Sequence, residues 1–391
     1  MPPQMIRHGL VTLALLAAAS QAVAAEMPAL SDAVADAIAQ ASPQASPQAM
    51  AEYRRKLKEY EEAQAPLIAY WNSIAEKRRG RNAKRRAGQQ ITLDDYVLTH
   101  PPAYTGPKKP IDPSAPERPP RKAIPMVPDF IEAAAEHFQF APQRPASEIE
   151  FKQAYAKVAS ALGLTREQAV RVYSFETGGN GNYDMQSGYR GPGTRPISTA
   201  IGYNQLLTTN SVELIAEQGT ALLKALHDKA ARLSGAARKT MDHKIAVMKR
   251  MVAFAQSVPD TWSEHEKLAN TEKGWALHAM VLDIDVGPHL QTHKLLTSVH
   301  FARIKGHTRP LSAAELEMMN LTGDGTGLDM VTMPLAMREQ VPTANFFQRG
   351  GYERNPVASR HNTVAKLLAI TNERMDVNSR KPGAQELAAA F

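Results

Sequence analysis

The feature that most constrains the fold of this chain is a series of helix start signals in its C-terminal two thirds. Ser147 with Glu150, and Thr165 with Gln168, have the spacing of a capping box, in which two side chains satisfy free backbone N–H groups at a helix start. After the first box, apolar residues recur every three or four positions, at Phe151, Tyr155, Val158 and Leu162. Strand-like alternation is scarce. The sequence therefore predicts a mainly α domain, with a small β-hairpin in the Gly- and Tyr-rich stretch 180–203.

Glycines and a further cap predict where individual helices begin and end. Gly178 and Gly179 are expected to end the helix that the second box opens, because glycine readily adopts the left-handed conformation of a helix C-cap. Asn210 and Glu213 predict the start of another helix, which we expect to stop at Gly219.

The residues before this domain predict an extension of different character. Residues 26–128 are expected to comprise a flexible Ala-, Gln-, Ser- and Pro-rich linker, an amphipathic helix kinked or divided at Pro66, a basic run and a Pro-rich strap over 101–128. Proline removes a backbone donor and locks φ, so little regular structure is expected in the strap. Residues 129–391 would then form the main helical domain.

The basic run contributes to a formal net charge of +7. Its members are Lys77, Arg78, Arg79, Arg81, Lys84, Arg85 and Arg86. Such a run can bind nucleic acid, contact an anionic wall or membrane, or form a solvated helix end. The N-terminal residues of the chain indicate export from the cytoplasm. Export argues against nucleic acid, and we favour a solvated face with weak attraction to the wall.

The N-terminus has the features of a secretory signal peptide over residues 1–25. Arg7 and His8 precede an apolar run over residues 10–19, and small residues follow up to Ala25. A short membrane anchor is the alternative, but the apolar run is shorter than the roughly 20 residues that a spanning helix needs. We therefore expect a periplasmic or secreted protein that does not span a membrane.

The chain contains no cysteine. Disulfides, a cysteine nucleophile, a thiolate-bound metal and lipid attachment through cysteine are all excluded. The fold must depend on its core.

Glu176 is the candidate catalytic acid. It stands at the C-terminal end of a short predicted helix, where the partial negative charge of the helix end disfavours a carboxylate. The neighbouring Tyr173 and Phe175 favour the neutral form further through desolvation. Glycosidic bond cleavage needs such a protonated carboxyl group near neutral pH. The alternative is a structural glutamate that accepts hydrogen bonds from nearby loop amides.

A wider pattern supports the catalytic interpretation. The sequence Phe-Glu-Thr-Gly-Gly at 175–179 is followed by Ala-Ile-Gly-Tyr-Asn-Gln-Leu-Leu at 200–207. This resembles the lysozyme-like lytic transglycosylases, a superfamily that includes the soluble lytic transglycosylases and goose-type lysozymes. Its signature is a Glu-Ser pair at the end of a helix and a later Gly-x-x-Gln segment.

The resemblance implies a role for each matching residue. Glu176 would be the general acid and base, and Thr177 replaces the usual serine while keeping its hydroxyl. Gly202, Tyr203 and Gln205 would line the sugar-binding cleft. Glycine permits close approach of the backbone to a sugar, and glutamine offers both a donor and acceptors.

Two further matches are looser. The segment 318–323 resembles the family's Ala-Tyr-Asn-x-Gly stretch, with Asn320 aligned and Met319 in place of the tyrosine. Tyr203 or Tyr189 is a candidate to take over the role of that tyrosine. The segment 283–287 resembles an Asn-x-x-x-Gly helix start, with aspartate in place of asparagine. The likeness covers roughly 165–325, and it implies that residues 129–391 form a lysozyme-like catalytic domain.

The implied activity is a peptidoglycan lytic transglycosylase that cleaves the β-1,4 bond between N-acetylmuramic acid and N-acetylglucosamine and leaves 1,6-anhydromuramyl ends. It uses no metal or organic cofactor, and its partner is the glycan strand rather than nucleic acid. Two alternatives stay open. A hydrolytic muramidase needs a second carboxyl group, for which Asp184 and Glu213 are the nearest candidates in sequence. A non-catalytic peptidoglycan-binding protein on the same fold is the other.

A histidine pair raises the question of a metal site. His289 and His293 are four residues apart and so share one face of a helix, a spacing at which two histidines can bind one metal ion. The glutamate pattern of a metalloprotease is missing from this segment. We favour solvated or core histidines and predict no metal site.

Overall fold

The computed structural model describes residues 45–116 and 123–391. This part of the chain is mainly helical, with sixteen α-helices, which confirms the predicted class. No strand is formed in the described residues. The predicted hairpin region contains only isolated antiparallel bridges, which join Ile201 to Gln186 and to Leu206.

The helices are numbered here in chain order. They are α1 (Pro47–Arg86), α2 (Val127–Phe138), α3 (Glu148–Leu162), α4 (Arg166–Thr177), α5 (Thr208–Ala230), α6 (Gly235–Ala255), α7 (Trp262–Ala269), α8 (Glu272–His278), α9 (Gly287–Ile304), α10 (Ala313–Thr322), α11 (Asp324–Thr332), α12 (Leu335–Arg338), α13 (Arg349–Glu353), α14 (Pro356–Arg360), α15 (Val364–Asn378) and α16 (Pro382–Ala390). Three short 3-10 helices cover Leu93–Asp95, Ala279–Leu282 and Thr343–Phe346.

The chain divides into two compact units, and the division falls within α1. Of the described residues, 45–61 and 107–116 belong to the first unit, and 62–106 belong with 123–391 to the second. The predicted boundary at 128 does not coincide with this division. Helix α1 also continues through Pro66 without being divided.

The predicted signal peptide over 1–25 and most of the predicted linker lie outside the described residues. Across the described ranges, none of the helices combines the length and the apolar character that crossing a membrane requires.

The basic run at the end of α1 is not a simple solvated face. Arg81 is only 1% exposed, and it donates to the backbone oxygens of Asp95 (2.8 Å) and Asn345 (3.2 Å). Arg78 donates to the backbone oxygens of Asn345 (3.0 Å) and Phe347 (2.8 Å). Asn345 and Phe347 lie more than 260 residues further along the chain, so local sequence could not reveal these contacts. Within the second unit, the two arginines therefore anchor the end of α1 to the segment that contains Asn345 and Phe347.

Helix α5 is longer than predicted. It begins at Thr208, passes through Gly219 and ends at Ala230. Gly219 faces α6, where an added Cβ would lie 2.6 Å from a methyl group of Val252. This glycine therefore allows close packing of two helices rather than ending one.

Candidate active site

Helix α4 brings Glu176 to the surface of the core. The Thr165 side chain caps α4 by accepting a hydrogen bond from the Gln168 N–H at 3.1 Å. The Gln168 side chain in turn accepts one from the Thr165 N–H, as the capping box predicted. Val172 and Tyr173 are fully buried and hold the helix in place. Gly178, at φ +67°, ends the helix as predicted, one residue after Thr177. Glu176 thus lies in the last turn of a helix that is fixed by the core.

Glu176 lies in the wall of a cleft with a volume of about 710 Å³. Helices α4, α5, α9 and α10 contribute to the cleft, together with the start of α7 and of α11. Its polar and charged lining residues are Glu176, Ser187, Gln205, Asn210, Glu213, Lys294, Thr297, Ser298, Glu317, Asn320 and Asp324. Trp262 also borders the cleft and is 45% exposed.

The environment of Glu176 favours its protonated form. Burial raises its pKa to about 7, although the positive charge of Lys294 and a hydrogen bond from Asn320 both act to lower it. Asn320 Nδ2 donates to Glu176 Oε1 at 2.9 Å. The carboxyl group is therefore partly protonated at neutral pH, as a general acid must be.

A second carboxyl group, that of Glu317, accompanies Glu176. Glu317 lies on α10, three residues before Asn320 and therefore on the same face of the helix. It is 3% exposed, and within the described part of the chain its Oε2 has no hydrogen-bond partner. Burial and the charge of Glu176 raise its pKa well above the ordinary value, against the opposing effects of Lys294 and Asn320. The Asn320 side chain therefore interacts with both Glu176 and Glu317.

Glu213 and Asp324 supply further acidic groups to the cleft. Burial and the charge of Glu217 raise the pKa of Glu213 to about 7. Asp324 accepts a hydrogen bond from Ser298 Oγ at 2.5 Å. Lys294 faces these groups from α9, and its pKa is lowered by burial although all the carboxyl groups of the cleft oppose that shift.

Gln205 lines the cleft, whereas Gly202 does not. The backbone of Gln205 adopts a left-handed conformation with φ +46°. Its Nε2 donates to the carbonyl oxygen of Gly202 at 2.8 Å. Gly202 itself is buried, and an added Cβ would lie 2.0 Å from Nε2 of Gln291. Gly202 therefore shapes the turn that carries Gln205 and does not line the cleft.

The other predicted cleft residues lie elsewhere. Tyr203 is fully buried, and its hydroxyl donates to Glu148. Thr177 is 7% exposed and donates to the carbonyl oxygen of Tyr173 at 2.7 Å, within its own helix. Tyr189 lines a different pocket. Neither tyrosine supplies a hydroxyl group to the cleft. Tyr203 is packed in the core, and Tyr189 lies in a loop that borders the other pocket.

Sequence reasoning found Asn320 and missed its neighbours. Asn320 contacts Glu176 directly. Of the two suggested second carboxyl groups, Glu213 lines the cleft, whereas Asp184 lies in the pocket of Tyr189. Glu317 and Lys294 were not singled out. The helical spacing between Glu317 and Asn320 was a usable signal, but Lys294 carries no comparable one.

The histidine pair does not line the cleft. The rings of His289 and His293 stack with centroids 6.4 Å apart, and burial lowers the pKa of both. Within residues 45–116 and 123–391, the one group of three side chains close enough to share a metal ion is Glu136, His137 and Glu272, of which both glutamates are exposed. Exposed acidic groups of this kind are common without a metal.

Comparison of the chain with protein families, with characterised proteins and with solved structures found no match. The interpretation of the cleft therefore depends on its own chemistry.

Proposed function

We propose that this protein is a peptidoglycan lytic transglycosylase with Glu176 as its general acid and base. The observation that supports this most directly is a partly buried carboxyl group, with a pKa raised to about 7, in the wall of a polar cleft. Glycosidic bond cleavage requires a proton donor with such a pKa near neutral pH.

The proposed reaction uses the two protonation states of Glu176 in turn. Protonated Glu176 gives its proton to the oxygen between N-acetylmuramic acid and N-acetylglucosamine, and the C1–O bond breaks. The acetamide oxygen of the substrate stabilises the positive charge at C1. The Glu176 carboxylate then takes the proton of the muramyl 6-hydroxyl while that oxygen bonds to C1. The anhydro ring closes and Glu176 is protonated again.

Other cleft residues fit a sugar substrate. Asn320 holds one oxygen of Glu176 by its 2.9 Å hydrogen bond and so orients the carboxyl group. Gln205 can donate to and accept from hydroxyl or acetamide groups. The exposed face of Trp262 can stack on a sugar ring. With the predicted signal peptide, these features favour action on the cell wall in the periplasm or outside the cell.

The test is the release of soluble muropeptides from purified peptidoglycan. We expect Glu176→Gln to abolish release, because an amide cannot serve as the acid, while the circular dichroism spectrum stays unchanged. Glu373→Gln is the matched control, since Glu373 is exposed on α15 and does not line the cleft. Full activity of a well-folded Glu176→Gln variant would exclude the proposed role.

The products separate this function from a hydrolytic muramidase. The second carboxyl group, that of Glu317, is the observation that favours the muramidase, because most glycoside hydrolases use two carboxyl groups. Mass spectrometry of the released fragments decides between them. Anhydromuramyl ends support the transglycosylase, and reducing muramic acid ends support the hydrolase. The binding-protein alternative predicts sedimentation with peptidoglycan and no released fragments.

A further inference from the structure

One loop, residues 178–185, connects Glu176 to the turn that carries Gln205. It begins at the C-cap residue of α4, two positions after Glu176. At its other end, the carbonyl oxygen of Met185 accepts from the Gly202 N–H at 2.9 Å and from Gln205 Nε2 at 3.3 Å. The position of this loop therefore affects two residues that line the cleft.

A segment near the C-terminus, residues 378–384, lies against this loop and is called the C-terminal segment here. It includes the end of α15 and the start of α16. Hydrogen bonds join it to three consecutive residues of the loop. The donor and acceptor pairs are Lys381 Nζ with the Gly178 carbonyl oxygen (2.7 Å), the Ala384 N–H with the Gly179 carbonyl oxygen (2.9 Å), and the Gly383 N–H with Asn180 Oδ1 (3.0 Å).

The backbones of the loop and the C-terminal segment are in close contact. An added Cβ at Gly179 would lie 2.2 Å from the carbonyl oxygen of Asn378. One at Gly383 would lie 2.8 Å from the hydroxyl oxygen of Tyr173. That hydroxyl group is itself engaged, because it donates to the carbonyl oxygen of Gly181 at 2.8 Å. Glycine at these positions therefore permits a backbone contact that a side chain would block.

The end of α4 is where this contact matters for chemistry. The last carbonyl groups of a helix lack partners within the helix, so its final turn is the least restrained part. In α4 that turn carries Glu176. Lys381 supplies a charged donor just beyond it, where the helix dipole also favours a cation. Holding Gly178 therefore restrains the turn that presents the carboxyl group.

We propose that the C-terminal segment is part of the catalytic site, with Lys381 as a positioning residue for Glu176. The inference rests on the proposed function. Lys381 does not line the cleft and acts only by fixing the helix end that carries the acid. A proton donor must lie within hydrogen-bond reach of the oxygen that it protonates. A displacement of about 1 Å is enough to lower a rate about 100-fold.

The first test measures kcat and KM for muropeptide release from solubilised glycan strands. In Lys381→Met the donor to Gly178 is lost, and we expect kcat to fall about tenfold while KM changes less than about twofold. Lys381→Arg keeps a charged donor and should recover most of the lost kcat. The matched control is Lys366→Met, since Lys366 is exposed on α15 and does not line the cleft. A kcat for Lys381→Met equal to that of the control would overturn the positioning role.

Two neighbouring glycines allow the same test from the side of the loop. Gly178 and Gly179 both have left-handed backbones, with φ of +67° and +82°, so alanine is strained at either position. An added Cβ at Gly178 meets nothing in the described part of the chain within 4 Å, whereas at Gly179 it collides with the C-terminal segment. We therefore expect Gly179→Ala to lower kcat more than Gly178→Ala does. Equal losses would mean that the contact with the C-terminal segment has no catalytic effect.

The third test does not need activity. Hydrogen exchange of the backbone amides of Glu176 and Thr177 reports opening of the last turn of α4. We expect faster exchange in Lys381→Met and no change in Lys366→Met. Unchanged exchange in Lys381→Met would overturn the positioning role even if the enzyme is active. Faster exchange, in a protein whose unmodified form releases no muropeptides, would support the hold on α4 and count against the proposed function.

Discussion

Two regions of this molecule each place a lysine beside two carboxyl groups, and the chemistry of the two regions differs. The Lys244 cluster consists of Lys244, Asp283 and Asp285, and the Lys294 cluster consists of Lys294, Glu176 and Glu317. Each contains one lysine and two carboxyl groups within the second unit. The difference lies in how many hydrogen-bond donors each carboxyl group meets.

In the Lys244 cluster the donors are plentiful. Asp283 accepts from Lys244 Nζ at 2.9 Å and from three backbone N–H groups, those of Gln143, Asp285 and Val286. Lys244 Nζ also donates to Asp285 at 2.6 Å. Burial acts to raise the pKa of Asp285, but Lys244 and Lys229 outweigh it and the pKa is lowered. Burial raises the pKa of Asp283, yet its four donors favour the charged form.

In the Lys294 cluster the donors are few. Asn320 supplies the 2.9 Å hydrogen bond to Glu176, and Oε2 of Glu317 is without a partner among the described residues. Burial consequently raises the pKa of both acids. In the Lys244 cluster, fixed backbone N–H groups stabilise the charged carboxylate of Asp283. That cluster is therefore a structural ion network, and it holds the residues at the start of α9 in place. The scarcity of such donors leaves the two acids of the other cluster with raised pKa values in the wall of a cleft.

The largest expected effect is on stability when Lys244 is removed. Lys244→Met leaves a buried carboxylate without its cation, and we expect the free energy of unfolding to fall by about 3–5 kcal/mol. Chemical denaturation at pH 7 measures it. The control is Lys229→Met, because Lys229 is 51% exposed although it also pairs with Asp285, and there we expect a loss of about 1 kcal/mol or less. Equal losses in the two variants would contradict the distinction between a buried and an exposed partner.

The second prediction concerns the pH dependence of stability at Glu176. Its pKa is about 7 in the folded protein and near 4.5 when exposed. Between these values the folded state binds more protons than the unfolded state, so stability is lost as pH rises from 4.5 to 7. Glu176→Gln removes this loss. The full shift corresponds to about 3 kcal/mol, and because Glu176 is only partly buried we expect that variant to be about 2 kcal/mol more stable than the unmodified protein at pH 8. Denaturation at pH 4 and pH 8 measures the gain, which should be close to zero at the lower pH.

The smallest expected effect is that of Lys294→Met at pH 5. Both glutamates of the Lys294 cluster can hold protons there, so losing the cation leaves no buried carboxylate unpaired. We expect the free energy of unfolding to change by about 1 kcal/mol or less. A loss as large as that of Lys244→Met, measured in the same way, would mean that the two clusters do not differ as described.

Local sequence was sufficient to predict the helical class and several helix ends. Thr165 caps α4, Gly178 ends it, and Glu176 is therefore presented in its last turn. These features depend on residues within four positions of one another, where backbone hydrogen bonding is decided by the side chains at hand. Gly219 shows the limit of this reasoning, because its place within α5 reflects the proximity of Val252 on another helix.

What the sequence by itself determined is therefore the α-helical framework and the position of one acid at a helix end. Only the tertiary structure decided which charges are buried and which groups they meet. Asn320 reaches Glu176 across 144 residues, and Arg81 reaches Asn345 across 264. The same packing buries Tyr203 and brings Glu317 and Lys294 to the cleft. Burial and long-range pairing set the energy of a charge, and neither is encoded in the spacing of neighbouring residues.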